Sequence, residues 1–237
     1  MTRARSTHDL TYSIQDYLKS IYDLNAAGGP ATTNAIAARL GISAASVTGM
    51  LQKLAALNPA LVTYKKHQGA RLTESGQRAA LQVIRHHRLL ETWLVQSLGY
   101  SWDEVHSEAE KLEHAVSEDL EKRIADALGN PARDPHGEPI PSADLIMPTD
   151  PSVPLSELQT GEEATVHRVQ ASDGVALRHL HDIGLSIGSR VTVLVQSSYD
   201  QVMTLRIRGH ENPITLGPML TERVFVERAD NQKKRSK

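Results

Sequence analysis

The chain of 237 residues contains no cysteine. Disulfide frameworks, thiolate zinc sites and iron–sulfur clusters are thereby excluded, and a reducing compartment fits. No apolar run approaches the ~20 residues that cross a bilayer. The start, MTRARSTHDLTYS, lacks the apolar stretch of a secretory signal. Also missing are an H-E-x-x-H pair, a phosphate-binding glycine loop and a G-x-S-x-G elbow, the signatures of common metalloproteases, nucleotide binders and hydrolases. These absences predict a soluble, cytoplasmic chain with no membrane partner. What is present, 40% hydrophobic and 23% charged residues, is enough for a folded core, and the length suits one large domain or two to three small ones.

The net charge of −2 conceals an uneven distribution. Residues 1–80 hold 9 Lys and Arg against 4 Asp and Glu, whereas 81–148 hold 6 against 13. A basic block next to an acidic one suits a polyanion on the first and cations on the second.

Seven of the 11 prolines lie between Pro131 and Pro154, where they forbid continuous helix and mark an extended connection. Before this stretch the pattern is helical. Ile14, Tyr17, Leu18 and Ile21 fall at i, i+3, i+4 and i+7, as do Val47, Met50, Leu51 and Leu54, so helices are predicted over 10–25 and 44–57. Ile36, Ala37 and Leu40 give a short helix between them, stopped by Gly41. Ser101 to Glu104 reads as a capping box opening a long helix over 102–128, with Val105, Ala109, Leu112, Val116, Leu120 and Ile124 as its apolar stripe. After the prolines, TVHRV, RVTVLV, MTLRIR, ITLG and RVFVER are short β-branched runs that predict a small barrel or sandwich, with a helix inserted at 173–184.

Helix, turn at Gly41-Ile42-Ser43, second helix and then two β runs around Gly69 make a winged helix-turn-helix pattern. The second helix turns Ala45, Thr48, Gly49 and Gln52 away from its core stripe, and these small or polar side chains permit close approach to a groove. Ser43, Ser46, Thr48 and Lys53, with Lys65, Lys66 and Arg71 from the wing, are the candidate phosphate contacts on double-stranded DNA. Apart from Gln52, few of the set read bases by paired hydrogen bonds, so much of the selectivity is expected from groove shape and methyl contacts.

The acidic block carries HSEAEKLEH. At 100° per residue its His106, Glu110, Glu113 and His114 share one arc of a helix. His87 and Glu91 form another i, i+4 pair in HHRLLE. Carboxylates packed this closely call for a cation, and imidazole with carboxylate suits a divalent first-row metal. A Mn²⁺- or Zn²⁺-dependent enzyme could use the same donors. His86, His136, His167, His181 and His210 lack such company and are read as structural.

Together, DYLKSIYDL, the helix-turn-helix, the wing with LTESG, RHHRLLETWL, VHSEAEKLEH and PHGEPIP resemble the diphtheria toxin repressor family of metal-dependent transcriptional regulators, which includes the manganese transport regulators. The resemblance implies an α+β multidomain chain. It would have a winged helix-turn-helix DNA-binding domain over 1–80, a helical dimerisation and metal-binding domain over 81–148, a Pro-rich linker at 149–160, an SH3-like, FeoA-like small β-barrel at 161–230 and a disordered basic tail at 231–237. It further implies a homodimer on a palindromic operator. The implied primary metal site is Asp16, Glu110, Glu113 and His114. The implied second site is His87, Glu91 and His106, with Asp173 as the aligned completion and His179 as a looser one. Iron-responsive members carry Met and Cys where this chain has Asp16 and Glu110; hard oxygen in place of sulfur favours Mn²⁺, with Fe²⁺ also able to bind. Lys19 stands where the manganese-responsive subtype has a second carboxylate, and Gly49 where the iron-responsive type has a base-contacting Gln.

Overall fold

The computed structural model describes residues 10–26, 28–170 and 174–229. Asp173 and the basic tail at 231–237 lie outside the described residues. The chain divides into two compact units. One takes in the chain up to Leu90, Glu110–Ala127 and Pro141–Met147; the other takes in Glu91–Ala109, Leu128–Ile140 and the chain from Pro148 on.

The first unit begins with α1 (Tyr12–Ala26), α2 (Thr33–Leu40) and α3 (Ala44–Ala55), followed by an antiparallel hairpin of β1 (Val62–Lys65) and β2 (Gly69–Leu72) with Lys65 opposite Gly69. Local chemistry sets the boundaries. Thr32 caps α2 by accepting the Ala35 N–H at 3.1 Å, and Gly41 ends it with φ 66°. Leu18, Ile21, Ile36, Val47, Leu51 and Leu54 are fully buried in one core, each worth about 1.5–3 kcal/mol of transfer free energy. α1 and α3 therefore share a packed interior, as their periodicity predicts.

α4 (Glu74–Leu98) starts in the first unit and continues into the second. The LTESG motif explains its start. Thr73 Oγ1 accepts the Gly76 N–H at 3.1 Å and donates to Ala60 O at 2.7 Å. A Cβ on Gly76 would lie 1.9 Å from Leu61 O, so only glycine lets the helix approach the backbone beside β1 so closely.

The long helix expected over 102–128 is two helices, α5 (Val105–Leu112) and α6 (Glu118–Ala127). Ser117 is the physical reason: its Oγ accepts the Leu120 N–H at 3.2 Å and Glu118, Asp119 and Glu121 fill the first turn, so a new helix starts there. Glu113 and His114 consequently lie in the turn after α5, not on a continuous helical arc. Ser101 caps no backbone N–H in the expected manner; its Oγ donates to the Glu104 carboxylate at 2.8 Å. Leu120, placed on the apolar stripe by spacing, is 45% exposed.

The second unit holds an antiparallel six-stranded sheet. In chain order its strands are β3 (Val153–Pro154), β4 (Glu163–Val169), β5 (Arg190–Gln196), β6 (Met203–Ile207), β7 (Ile214–Leu216) and β8 (Val224–Arg228), arranged β3-β8-β4-β5-β6-β7. α7 (Gly174–Asp182) lies between β4 and β5, and a short α8 (Pro218–Thr221) precedes β8. Alternating Val191 and Val193, Met203, Leu205 and Ile207, and Val224 and Val226 turn inward onto Leu177, Leu180 and Leu185. This is the SH3-like β fold expected. The expected linker at 149–160 is shorter than drawn, because β3 pairs with β8 and Leu155 and Leu158 are fully buried in the sheet's core. Pro154 is tolerated there because β3 is an edge strand. Among the described residues no helix is long and apolar enough to cross a membrane.

Candidate metal centres and nucleic-acid face

The candidate DNA-contacting residues lie on α3 and the hairpin of the first unit. Ala45, Ser46, Gln52 and Lys53 are exposed on α3, and Lys65, Lys66 and Arg71 are exposed on the wing. Two hydroxyls already have local partners. Ser43 Oγ caps α3 by accepting the Ser46 N–H at 3.1 Å, and Thr48 Oγ1 donates to Ala44 O at 3.0 Å. Thr48 has thereby spent its O–H, whereas Ser43 keeps its own and lies 2.9 Å from Ser46 Oγ, so the donors facing solvent are the lysines, Arg71, Gln52 and the Ser43–Ser46 hydroxyl pair. Gly49 is exposed, with open space where a Cβ would stand.

Asp16, Glu113 and His114 converge in the same unit, each offering a donor atom within 4.8 Å of the others. α1 presents Asp16, and the turn between α5 and α6 presents the other two. His114 Nε2 lies 3.0 Å from Asp16 Oδ1 and 3.7 Å from Glu113 Oε1. Its Nδ1 meets Gln15 Oε1 at 2.8 Å, and Gln15 Nε2 in turn donates to Leu10 O at 3.1 Å. With Gln15 anchored as an acceptor, Nδ1–H is the donor to it, and the ring is oriented with Nε2 on the side of Asp16 and Glu113, where a metal ligand would need it. Tyr12 stacks on the His114 ring at 4.9 Å. Gln15 and Tyr12 escaped the sequence reading, since neither is a usual ligand type.

Glu113 is 1% exposed, and Lys19 Nζ donates to both of its oxygens, at 3.0 and 2.8 Å. His87 Nδ1 also bonds this carboxylate and lies 3.3 Å from Lys19 Nζ. Burial opposes the charge on Glu113, but His87 and Lys19 outweigh it and hold the carboxyl below its ordinary range. The structure does not bring Glu110 into this group: its side chain is exposed on α5, outside the converging three. Glu110 lies within α5, whereas Glu113 and His114 lie in the turn that follows it.

In the second unit Glu91, 2% exposed, meets His106 Nδ1 at 3.0 Å through one oxygen and His136 Nδ1 at 3.5 Å through the other. Glu91, Asp134 and His136 form a buried donor group within 4.8 Å. His136 Nε2 donates to Trp102 O at 2.6 Å, which leaves Nδ1 toward the carboxylates. Burial alone would depress the His136 pKa; the bond and charge of Glu91, with Asp134 and Trp102 O, lift it to about 9. His136, read from the sequence as structural, thus stands in a candidate donor group with Glu91 of α4 and Asp134 of its own loop, company that spacing does not reveal. His87 lies one turn before Glu91 on α4, with its own partner in Glu113. Asp173 lies outside the described residues, and His179 is exposed on α7.

Three family descriptions match the chain: iron dependent repressor, N-terminal DNA binding domain, over 9–70; iron dependent repressor, metal binding and dimerisation domain, over 73–142; and FeoA domain, over 153–228. The iron-dependent repressor IdeR of Mycobacterium tuberculosis (strain ATCC 25618 / H37Rv) is 34% identical over 233 residues, covering 93% of this chain and 99% of the relative. The diphtheria toxin repressor of Corynebacterium diphtheriae is 29% identical over 196 residues, covering 78% and 86%. Among solved structures, a manganese-dependent transcriptional repressor in complex with manganese superimposes with TM-score 0.83 at 42% identity, covering 91% of this chain and 99% of that one. ScaR with bound Cd²⁺ gives TM-score 0.79 at 31% identity, covering 90% and 98%. These relatives are repressors, and the metalloenzyme alternative falls with that. The chain belongs to the iron-dependent repressor family of metal-dependent, DNA-binding transcriptional regulators.

Proposed function

We propose that this chain is a manganese-responsive regulator that acts in the cytoplasm as a homodimer on a palindromic operator, with operator binding switched on by divalent metal. In this reading residues 1–80 bind DNA, 81–148 dimerise and hold metal, and 161–230 form the SH3-like part. The observation that carries it is the convergence of Asp16, Glu113 and His114. Two carboxylates and one imidazole without sulfur suit Mn²⁺, and also Fe²⁺, better than softer ions. The resemblance implies His87, Glu91 and His106 as the second donor set, and within the second unit Asp134 and His136 are further donors around Glu91. When bound, the ion supplies the divalent positive charge that lets these carboxylates stay together.

The protein's own residues do the rest. Asp16 sits on α1, whose Ile14, Leu18 and Ile21 share a core with Val47, Leu51 and Leu54 of α3. Holding Asp16 against Glu113 and His114 fixes α1, and the common core carries that constraint to α3. In a dimer, the separation of two such helices must match half-sites about 34 Å apart. A coupling of about 1–3 kcal/mol, typical of allostery, suffices to switch occupancy. Ser46, Gln52, Lys53, Lys65, Lys66 and Arg71 then hold the duplex, while Ser43 and Thr48 shape the end of α3 and Ala45 leaves room for the groove. Operator titrations with Mn²⁺, Fe²⁺ and Zn²⁺ test this: Asp16→Ala loses metal-stimulated binding and keeps metal-free binding. Equal loss in both conditions refutes the switch.

A further inference from the structure

Asp134 and His136 lie on a tight turn. Asp134 Oδ1 accepts the N–H groups of His136 at 2.8 Å and Glu138 at 3.0 Å, and Asp134 and Glu138 also pair through their backbones at 3.0 Å. The turn rests directly on β4. Gly137 has φ 82°, a Cβ there would lie 2.1 Å from His167 O, and the Val169 N–H donates to His136 O at 2.9 Å. One side chain of β4 holds the turn from outside. Arg168 donates through Nη1 to Glu138 Oε1 and through Nε to Asp150 Oδ2, both at 2.9 Å, with its guanidinium 3.5 Å from the centroid of the Phe225 ring. Asp150 Oδ1 receives Arg133 Nη2 at 3.2 Å, and Arg133 Nη1 bonds Gly137 O. Arg168 thus grips one limb of the turn directly and the other through Asp150 and Arg133.

We propose that Arg168 is a positioning residue for a divalent metal at Glu91, Asp134 and His136: from the sheet it sets how His136 Nδ1 and the second oxygen of Asp134 face Glu91. The β-domain then adjusts metal affinity through the turn that carries Asp134 and His136. A planar guanidinium suits this role, because it bonds two carboxylates at fixed angles and stacks on an aromatic face at once. The inference rests on the reading that these three residues hold a metal.

The test uses the full chain carrying Asp16→Ala and His106→Ala, so that neither the Asp16 group nor the His87, Glu91 and His106 set competes and titration with Mn²⁺ or Co²⁺ alone reports on Glu91, Asp134 and His136, at a temperature well below every variant's unfolding midpoint. His136→Ala abolishes binding of the ion and its Co²⁺ absorption bands. Arg168→Ala weakens Mn²⁺ binding about tenfold, the lower end for loss of an outer-shell partner, and shifts the Co²⁺ bands. Arg168→Lys recovers part of the affinity. Glu138→Gln keeps the turn's shape, weakens Arg168's grip and lowers affinity several-fold, and it serves where Arg168→Ala does not fold. Unaltered affinity and bands in Arg168→Ala and Glu138→Gln, even with a lower unfolding midpoint, overturn the positioning role while His136→Ala still loses the ion. Unaltered binding in His136→Ala overturns the metal reading itself.

Discussion

Lys19→Ala removes the ammonium that competes with a metal for Glu113, and the structure sets the size of the effect. Breaking a buried ion pair by deleting one partner costs about 3–5 kcal/mol. Lys19 is 20% exposed and His87 still bonds the same carboxylate, which reduces the loss to about 2 kcal/mol by the same reasoning. For a chain of this length the metal-free unfolding midpoint should fall by about 4–8 °C. Mn²⁺ replaces the lost charge, so at saturation the midpoint returns toward that of the wild type. The free energy recovered appears as tighter binding, at most about 30-fold for 2 kcal/mol. Thermal melts with and without Mn²⁺, with calorimetric titration of both proteins, measure the two quantities. A midpoint lowered equally in both conditions, with unchanged Mn²⁺ affinity, would show that Lys19 and the metal do not share Glu113.

Removing both wing lysines, Lys65→Ala with Lys66→Ala, should weaken operator binding and reduce the slope of log K against log salt by about 2, at ~0.9 per phosphate contact; an unchanged slope places the wing off the DNA. Glu121 loses solvation on burial, but His86 and Arg85 bond it and hold its carboxyl below the usual range. Its contribution to stability is therefore complete above pH ~4.3, the ordinary glutamate value, and is lost as pH falls through the lower folded value. Glu121→Gln should flatten the acid limb of melting midpoint against pH, and an unaltered limb removes Glu121 as its source. Gly76→Ala forces a Cβ against Leu61 O and should destabilise by about 1–3 kcal/mol, read as a drop in urea midpoint; a neutral result means that α4 can shift away from the backbone at Leu61.

Features decided within a few residues were legible in the sequence. The α2–α3 turn followed from Gly41 and the Ser43 cap, and the β-domain strands from their alternation, because both signals act locally. The break between α5 and α6 was hidden because Val116 and Ile124 kept the helical period across it. Ser117 followed by three acidic residues in the next four was the available signal. The donor group at His136 was illegible for another reason: Asp134 stands beside it on one turn, but Glu91 and Trp102 reach it from distant segments, and only packing brings them together. Glu113 and His114 were nominated by spacing and Asp16 by resemblance alone, because its convergence with them is a helix-to-turn contact across nearly a hundred residues of sequence.

The converging donors are carboxylate oxygens and imidazole nitrogens alone. Thiolate ligands oxidise through sulfenic acid to disulfide or irreversible acids, and this chain has none to lose. Peroxide therefore finds no thiolate in the pocket to carry toward a disulfide or a sulfonic acid. Recovery of such a metal gauge after oxidative stress would not depend on reducing a disulfide.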